Sequence, residues 1–197
     1  NLMDAANPHT DTPINLGKKV VVVGGGNTAM DSCRTAKRLG AEVTLVYRRS
    51  EAEMPARLEE VKHAKEEGIN FLTLHNPKEY LTDENGAVKA AVLDVMELGE
   101  ADASGRRSPV VTGRTVTIEC DQVVVAVGVS PNPLVPNSIE GLELGRKNTI
   151  AVNECMQSSR HNIFAGGDIV RGGATVILAM GDGRKAAENM DKKLREK

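Results

Sequence analysis

Aromatic residues are nearly missing from this chain: there is no tryptophan, and only two tyrosines and two phenylalanines occur. A nucleic-acid surface built on bases stacked over rings is therefore excluded. An excess of charge is also lacking, since the net charge of −2 gives no global electrostatic attraction to DNA, RNA or an anionic membrane. No apolar run approaches the roughly 20 residues that a membrane-spanning helix needs, and nothing at the start resembles a signal peptide. Cysteine is sparse as well. Cys33, Cys120 and Cys155 are widely spaced and form no C-x-x-C pair, so a disulfide framework, a zinc site or an iron–sulfur cluster lacks ligands within this chain. The expectation is a soluble, cytoplasmic protein with three reduced thiols, no metal site, and no nucleic-acid or membrane partner.

What is present is glycine in the right place. Four valines, Val20 to Val23, run into Gly24, Gly25 and Gly26, and a helical pattern follows. The spacing from Gly24 through Gly26 to Ala29 fits the G-x-G-x-x-G/A turn of a dinucleotide site. In such a turn Gly24 makes the tight bend out of the strand. Gly26 leaves the backbone bare for a pyrophosphate, and Ala29 is small enough for the helix to lie on the strand. Free amides at the helix start, with the positive end of its dipole, would hold the phosphates. A second strand at residues 42–46 ends in Tyr47-Arg48-Arg49. An acid about 20 residues beyond the glycines would grip a ribose 2′-hydroxyl, whereas guanidinium groups pair with a 2′-phosphate. Arg48 and Arg49 therefore point to NADPH rather than NADH, against the plainer alternative of solvated surface charge.

In chain order, residues 1–15 carry two prolines and several turn formers, and predict a lead-in loop with one short helical turn. The chain opens without Met, which reads as a piece of a longer protein. A strand at 19–23 and a helix at 27–39 follow, with Ala29, Cys33 and Ala36 toward the sheet and Arg34, Lys37 and Arg38 toward water. After a loop at 50–56, a second helix at 57–67 turns Leu58, Val61 and Ala64 inward, and its His63 is a surface residue. A third strand at 69–74 completes a βαβαβ half. Then the character changes: a short strand at 78–82, a turn at Asn85-Gly86, a strand at 88–98, an exposed mobile loop at 99–113 that includes Arg106 and Arg107, and an alternating strand at 115–119. An antiparallel meander thus takes the place of a third helix. A buried strand at 121–128 precedes three prolines, Pro131, Pro133 and Pro136, which mark a domain boundary. A short strand at 149–152, a strand at 162–168 and a final helix from Thr175 to the end complete the reading. Val176, Met180, Ala187, Met190 and Leu194 share one face of that helix.

A second glycine-rich constellation sits in this last part: Gly166-Gly167-Asp168, Gly172-Gly173-Ala174-Thr175 and Gly181-Asp182-Gly183. Glycine inside a helix costs about 1 kcal/mol relative to alanine. The pair Gly181 and Gly183 is therefore a poor choice unless something packs closely, and a helix start at Thr175 again offers free amides. Residues alone leave a cofactor contact and a turn-rich connection as equal readings.

The stretches at 24–31, 46–56, 123–132 and 164–187 together resemble the small, flavin-containing subunit of NADPH-dependent glutamate synthase. They also resemble its relatives, the transhydrogenase large subunit and part of dihydropyrimidine dehydrogenase. The resemblance covers nearly the whole chain from about residue 16. It implies an α/β, Rossmann-like NAD(P)-binding three-layer domain over residues 16–128, after the lead-in 1–15. The C-terminal part of a FAD-binding domain would follow over 129–197. It implies that Gly24, Gly25, Gly26, Asn27, Thr28 and Ala29, with Asp31, hold the NADPH pyrophosphate end, and that Arg48 and Arg49 take the 2′-phosphate. Ala126, Val127 and Gly128 would line the crossing to the flavin domain. Gly167 and Asp168 would contact the ribityl–phosphate part of FAD, and Ala174, Thr175 and Val176 would approach the flavin ring.

The same resemblance implies hydride passage from NADPH to FAD, with no acid, base or nucleophile in this chain. FAD would need the family's upstream FAD segment, and iron–sulfur clusters would lie only on segments outside these residues. A large glutamate synthase subunit or another electron acceptor would be the partner. Apolar residues meant for the absent half would be exposed, or buried in a homodimer. Alternatives are a transhydrogenase subunit, a non-catalytic NADP-binding module, or a thioredoxin-reductase-type disulfide reductase, the last lacking its cysteine pair.

Overall fold

The computed structural model describes residues 9–13, 15–103, 105 and 107–196. The lead-in residues 1–8 and Ile14, with the helical turn expected there, lie outside the described residues, as does Arg106. The chain divides into two compact units, one ending at Gly128 and the other starting at Val129.

The first unit is built on a four-stranded parallel sheet of order β3-β2-β1-β7, formed by β1 (Lys19–Val23), β2 (Glu42–Tyr47), β3 (Asn70–Thr73) and β7 (Gln122–Val125). Helices α1 (Asn27–Arg38) and α2 (Leu58–Glu66) connect the first three strands. A three-stranded antiparallel sheet, β4 (His75–Thr82), β5 (Val88–Ala101) and β6 (Arg107–Glu119), lies between β3 and β7 in the chain. This is the expected α/β arrangement with a meander in place of a third helix.

The run of valines explains itself in this setting. β1 is paired at both edges, by β2 and β7, and a core packs on each of its faces; a strand covered on both faces reads as a continuous apolar run rather than an alternation. Val20 and Val22 join Ala29, Met30, Cys33, Ala36, Val61 and Ala64 in the core on the helical side. Val21 and Val23 join Val46, Ala91, Leu93 and Cys120 in the core beneath the meander. The stripe of Ala29, Cys33 and Ala36 is fully buried, which lets α1 lie tightly on the sheet.

Several expectations are corrected. Residues 99–101 and 107–113 are not loop but belong to the paired strands β5 and β6, with Met96 opposite Val111, Leu98 opposite Pro109 and Ala101 opposite Arg107. Arg107 fastens them by donating from Nε and Nη2 to the carbonyls of Gly99 and Leu98, at 2.9 and 2.8 Å. Their polar, glycine-containing composition hid a strand pairing made by the backbone and interrupted by irregular register. Leu58 is exposed, and from the preceding loop Met54 and Ala56 pack against the helical core. Arg34 does not face water alone: it donates to Glu67 at 2.9 Å and to Glu60, tying α1 to α2.

In the second unit no regular strand forms at 149–152 or 162–168. Isolated bridges join Leu144 to Ile150, Val152 to Ser158 and Gln157 to Phe164. Short irregular turns take the place of strands there, held by side chains such as Asn153, whose Oδ1 accepts from the amides of Cys155 and Gln157. The proline-rich stretch contains a short helix, α3 (Leu134–Ser138), with Pro133 at its N-cap. Helices α4 (Asp168–Arg171) and α5 (Val176–Arg195) follow, and Thr175 caps α5 by accepting from Leu178 N through its hydroxyl. Among the described residues, no helix is long and apolar enough to cross a membrane.

Candidate functional site

The carboxyl ends of β1 and β2 carry the first cluster of predicted residues. The three glycines do three different jobs. Gly24 has φ +145°, and its N–H donates to Val46 O at 3.0 Å; a Cβ there would overlap the Ala126 carbonyl. At Gly25 a Cβ would land 2.5 Å from the Tyr47 ring. Gly26 is different: a Cβ would meet nothing nearer than Pro55 Cγ at 4.0 Å. Its backbone is thus bare toward open space rather than toward the protein. Gly26 is also the N-cap of α1, with no side-chain cap and no acidic residue in the first turn. The first amides of the helix, which have no intrahelical acceptor, then stand beside that space with the positive end of the dipole. Ala29 is fully buried next to the turn, whereas Asn27, Thr28 and Asp31 are exposed.

The loop at 50–57 is fastened across this turn. Ala56 N donates to Gly25 O at 3.0 Å, and Arg57 N donates to Asn27 Oδ1 at 3.0 Å. The Tyr47 hydroxyl donates to Glu53 O at 2.9 Å. Ser50 and Glu53 close the loop on itself through a capping box.

Between strand and loop lie the two arginines, and the structure separates them. Arg48 is exposed. Arg49 is only 8% exposed, and its buried Nε has no hydrogen-bond partner among the described residues. Neither makes an ion pair among the described residues. A guanidinium cannot discharge by losing a proton, and an unpaired buried charge is costly. Arg49 is therefore a largely buried cation whose Nε has no partner and which faces no anion among the described residues. Ala126, whose carbonyl crowds Gly24, belongs to the same end of the sheet; Val127 is exposed, and Gly128 has φ +100°.

The second unit gathers the other predicted residues around α4 and the start of α5. Gly167 is buried with φ +75° and caps α4. Asp168 is exposed, and its Oδ1 accepts from Ala174 N at 3.2 Å. Ala174, Thr175 and Val176 are exposed, and Ile177 and Met180 beside them are exposed apolar side chains.

The residue that organises this turn was not singled out from the sequence. Asp182, 3% exposed on α5, accepts from Arg171 Nε at 2.6 Å, Arg171 Nη2 at 2.7 Å and Gly167 N at 3.0 Å. The Arg171 guanidinium, with the Gly167 amide, holds its carboxyl down at about 2. The close contact also explains Gly166, whose Cβ would come within 2.7 Å of Asp182 Cβ. The available signal was an acid between two glycines in a helical pattern. Gly181 and Gly183 themselves meet nothing within 4 Å, so nothing among the described residues packs on them.

No cluster of metal-binding side chains occurs among the described residues. Cys33, Cys120 and Cys155 are all free; burial pushes the Cys33 thiol up to about 12 and raises that of Cys120. Redox chemistry through a cysteine pair has no support in this geometry.

Residues 2–183 match the family described as "Pyridine nucleotide-disulphide oxidoreductase". The NADP(+)-dependent formate dehydrogenase subunit beta of Moorella thermoacetica is 46% identical over 91% of this chain and 26% of its own length. The glutamate synthase [NADPH] small chain of Escherichia coli is 42% identical over 88% of this chain and 38% of its length. The NADPH-Fe(3+) oxidoreductase subunit beta of Geobacter sulfurreducens is 40% identical over 93% and 31%. The chain thus spans between about a quarter and two-fifths of these relatives. Thioredoxin reductase from Lactococcus lactis shares the fold, with a TM-score of 0.76 and 23% identity over 93% of this chain and 55% of that one. FprA of Mycobacterium tuberculosis, in complex with NADPH, does so at 0.73 and 20% over 91% and 53%. By a match that extends over most of its length, the chain belongs to the pyridine nucleotide-disulphide oxidoreductase family.

Proposed function

We propose that the first unit binds NADPH and the second contributes part of a FAD site, in an oxidoreductase where NADPH reduces FAD. The observation that carries this reading is Arg49: a buried arginine whose Nε has no partner among the described residues, two residues beyond the end of β2, on the same sheet end as the bare backbone of Gly26. Both features suit phosphate, the first as a charge partner and the second as a surface that oxygens can approach. Gly24 and Ala29 would keep the turn tight, Gly25 and Gly26 with the amides of Asn27 and Thr28 would receive the pyrophosphate, and Asp31 would stand one helical turn further on. Arg49, assisted by exposed Arg48, would select the 2′-phosphate. In the second unit, the turn held by Asp182 would present Gly167 and Asp168 to the ribityl–phosphate portion of FAD. The apolar start of α5, from Ala174 through Val176, would lie against the ring. When bound, the nicotinamide and flavin supply the hydride exchange; the chain positions them and supplies no acid, base or nucleophile of its own.

The finer reading is the small subunit of glutamate synthase, passing electrons through iron–sulfur centres on other segments to a glutamate-forming large subunit. Formate dehydrogenase and Fe(3+) reductase subunits are equally similar, so the acceptor is the least constrained part. The relatives are named as subunits or chains of larger assemblies, which supports a partner subunit.

The test is titration of NADPH and NADH against the chain and its Arg49→Ala variant. Two lost charge-assisted hydrogen bonds at about 1.5–3 kcal/mol each would weaken NADPH by roughly a hundredfold or more and leave NADH unchanged. Equal affinity for the two nucleotides, or an unaltered preference in Arg49→Ala, refutes the proposal.

A further inference from the structure

The turn that would receive the pyrophosphate and the corner that carries the arginines are joined by one side chain. Tyr47, the last residue of β2, sits directly before Arg48 and Arg49. Its ring occupies the place where any side chain at position 25 would go: an ideal Cβ on Gly25 lies 2.5 Å from Cε2 and 2.6 Å from Cδ2. Its hydroxyl reaches the other way, to Glu53 O at 2.9 Å. Glu53 in turn accepts from the amide and hydroxyl of Ser50, the residue after Arg49, at 3.1 and 3.0 Å. One aromatic side chain thus touches the glycine turn with its edge and closes the loop behind the arginines with its tip.

We infer that Tyr47 is a positioning residue that fixes the spacing between the pyrophosphate turn and the 2′-phosphate corner, and so sets the discrimination between phosphorylated and unphosphorylated adenosine ribose. This rests on the proposed NADPH site. The physical ground is rigidity. A 2′-phosphate and a 5′-diphosphate are held at a fixed separation by one ribose, so a ligand gains from both anchors only if the protein holds them at the matching separation. A ligand without the 2′-phosphate uses one anchor and is indifferent to that spacing. The glycine turn has its own restraints, Gly24 N to Val46 O and Ala56 N to Gly25 O, which do not involve the tyrosine hydroxyl. Removing the hydroxyl therefore releases the loop behind the arginines, while these restraints and the bond from Leu74 N to Arg49 O at 3.0 Å remain.

The experiment is calorimetric titration of the 197-residue chain with 2′,5′-ADP and with 5′-AMP, which differ only in the 2′-phosphate and lack nicotinamide, for wild type, Tyr47→Phe, Tyr47→Leu and Arg49→Ala. Thermal melts of each variant run in parallel. Tyr47→Phe keeps the ring on Gly25 and loses the hydrogen bond to Glu53 O; 2′,5′-ADP is expected to weaken about 2- to 10-fold, with 5′-AMP held within about twofold and an unchanged melting temperature. Tyr47→Leu loses ring and hydroxyl, and the ratio of the two affinities falls further. An unchanged ratio in both variants, or equal weakening of both ligands, overturns the inference. If wild type prefers 2′,5′-ADP and Arg49→Ala abolishes that preference while both Tyr47 variants keep it, only the role of Tyr47 fails. If wild type shows no preference, the NADPH reading fails and this inference with it.

Discussion

Adding one methyl group at Gly26 separates folding from binding. Gly26 has φ −94° and ψ 177°, a conformation that alanine adopts without strain. The new Cβ would stand 4.0 Å from Pro55 Cγ, an ordinary contact. The remaining cost is the weaker N-cap, about 0.5–1 kcal/mol, which lowers the melting temperature by roughly 1–4 °C. The same methyl projects into the space from which a phosphate would reach the amides of α1. Loss of one or two charge-assisted bonds at about 1.5–3 kcal/mol each predicts NADPH binding weakened by a factor of about ten to about ten thousand. Gly24→Ala is the control with the opposite balance. Its φ of +145° is foreign to alanine, and its Cβ would overlap the Ala126 carbonyl. That combination of strain and clash is worth roughly 2–4 kcal/mol and should appear in the melt rather than as a separate loss of affinity. Calorimetric titration with NADPH, beside thermal melts of both variants, reads the two effects. Gly26→Ala binding NADPH as wild type does, with its melting temperature hardly altered, would refute the placement of the phosphates.

Buried groups give three further expected outcomes. Asp182 has its carboxyl lowered to about 2 by Arg171 and the Gly167 amide, so the stability it contributes is fully present above an ordinary carboxylate pKa near 4 and is lost as pH falls through about 2. Melts of wild type should steepen in their pH dependence over that window and those of Asp182→Asn should not; identical curves would contradict the clamp. Leu93, fully buried beneath the meander, should cost about 2–5 kcal/mol as Leu93→Ala, and a loss below about 1 kcal/mol by denaturant titration would show that the two sheets do not share that core. Native alkylation near pH 8 should label exposed Cys155 and spare Cys33, whose thiol is pushed up to about 12; labelling of Cys33 at a comparable rate on peptide mapping would count against the burial of α1.

The parts legible in the sequence were those where burial or backbone geometry leaves a periodic mark. Val20 to Val23 announced a strand covered on both faces, and Ala29, Cys33 and Ala36 announced the helix stripe that covers one of them. Gly24 and Gly26 could be given separate roles because a turn and a close approach need glycine for different reasons. What stayed hidden was set by contacts remote in sequence. Gly25 is glycine because of a tyrosine ring 22 positions away, and Gly166 because of the Asp182 side chain. The alternation at the end of β2 exposes Arg48 and buries Arg49, but it continues past the last paired residue, where period-two reasoning no longer applies. The outer half of the β5–β6 hairpin was lost for a related reason: its exposed strand has little apolar alternation to read, and its pairing resides in the backbone.

The two units keep their shape by different means, and this bears on how each could serve a cofactor. Both apolar cores are drawn from the first unit; beyond Gly128 the buried apolar side chains among the described residues are Pro136, Ile150, Met156 and Ala186. The 20-residue α5 buries Asp182 and Ala186, while Val176, Ile177, Met180 and Leu194 stand exposed. A helix of that length gains most of its stability in a protein from a buried apolar face, so its apolar side chains are not employed within their own unit. The turn beside it is held instead by ionic and amide hydrogen bonds from Arg171 and Gly167 to Asp182. Such bonds fix geometry through direction rather than area. A polar clamp of this kind can hold Gly166 to Asp168 in place without consuming the apolar surface of α5, which then stays free for whatever ring or protein face lies against it. In the first unit the reverse holds: apolar burial makes the sheet rigid, and the buried polar atom left unmatched among the described residues is Nε of Arg49. The unused chemistry is thus a charge at one site and a hydrophobic surface at the other, the two complements that a phosphate-bearing nucleotide and a flavin ring would respectively require.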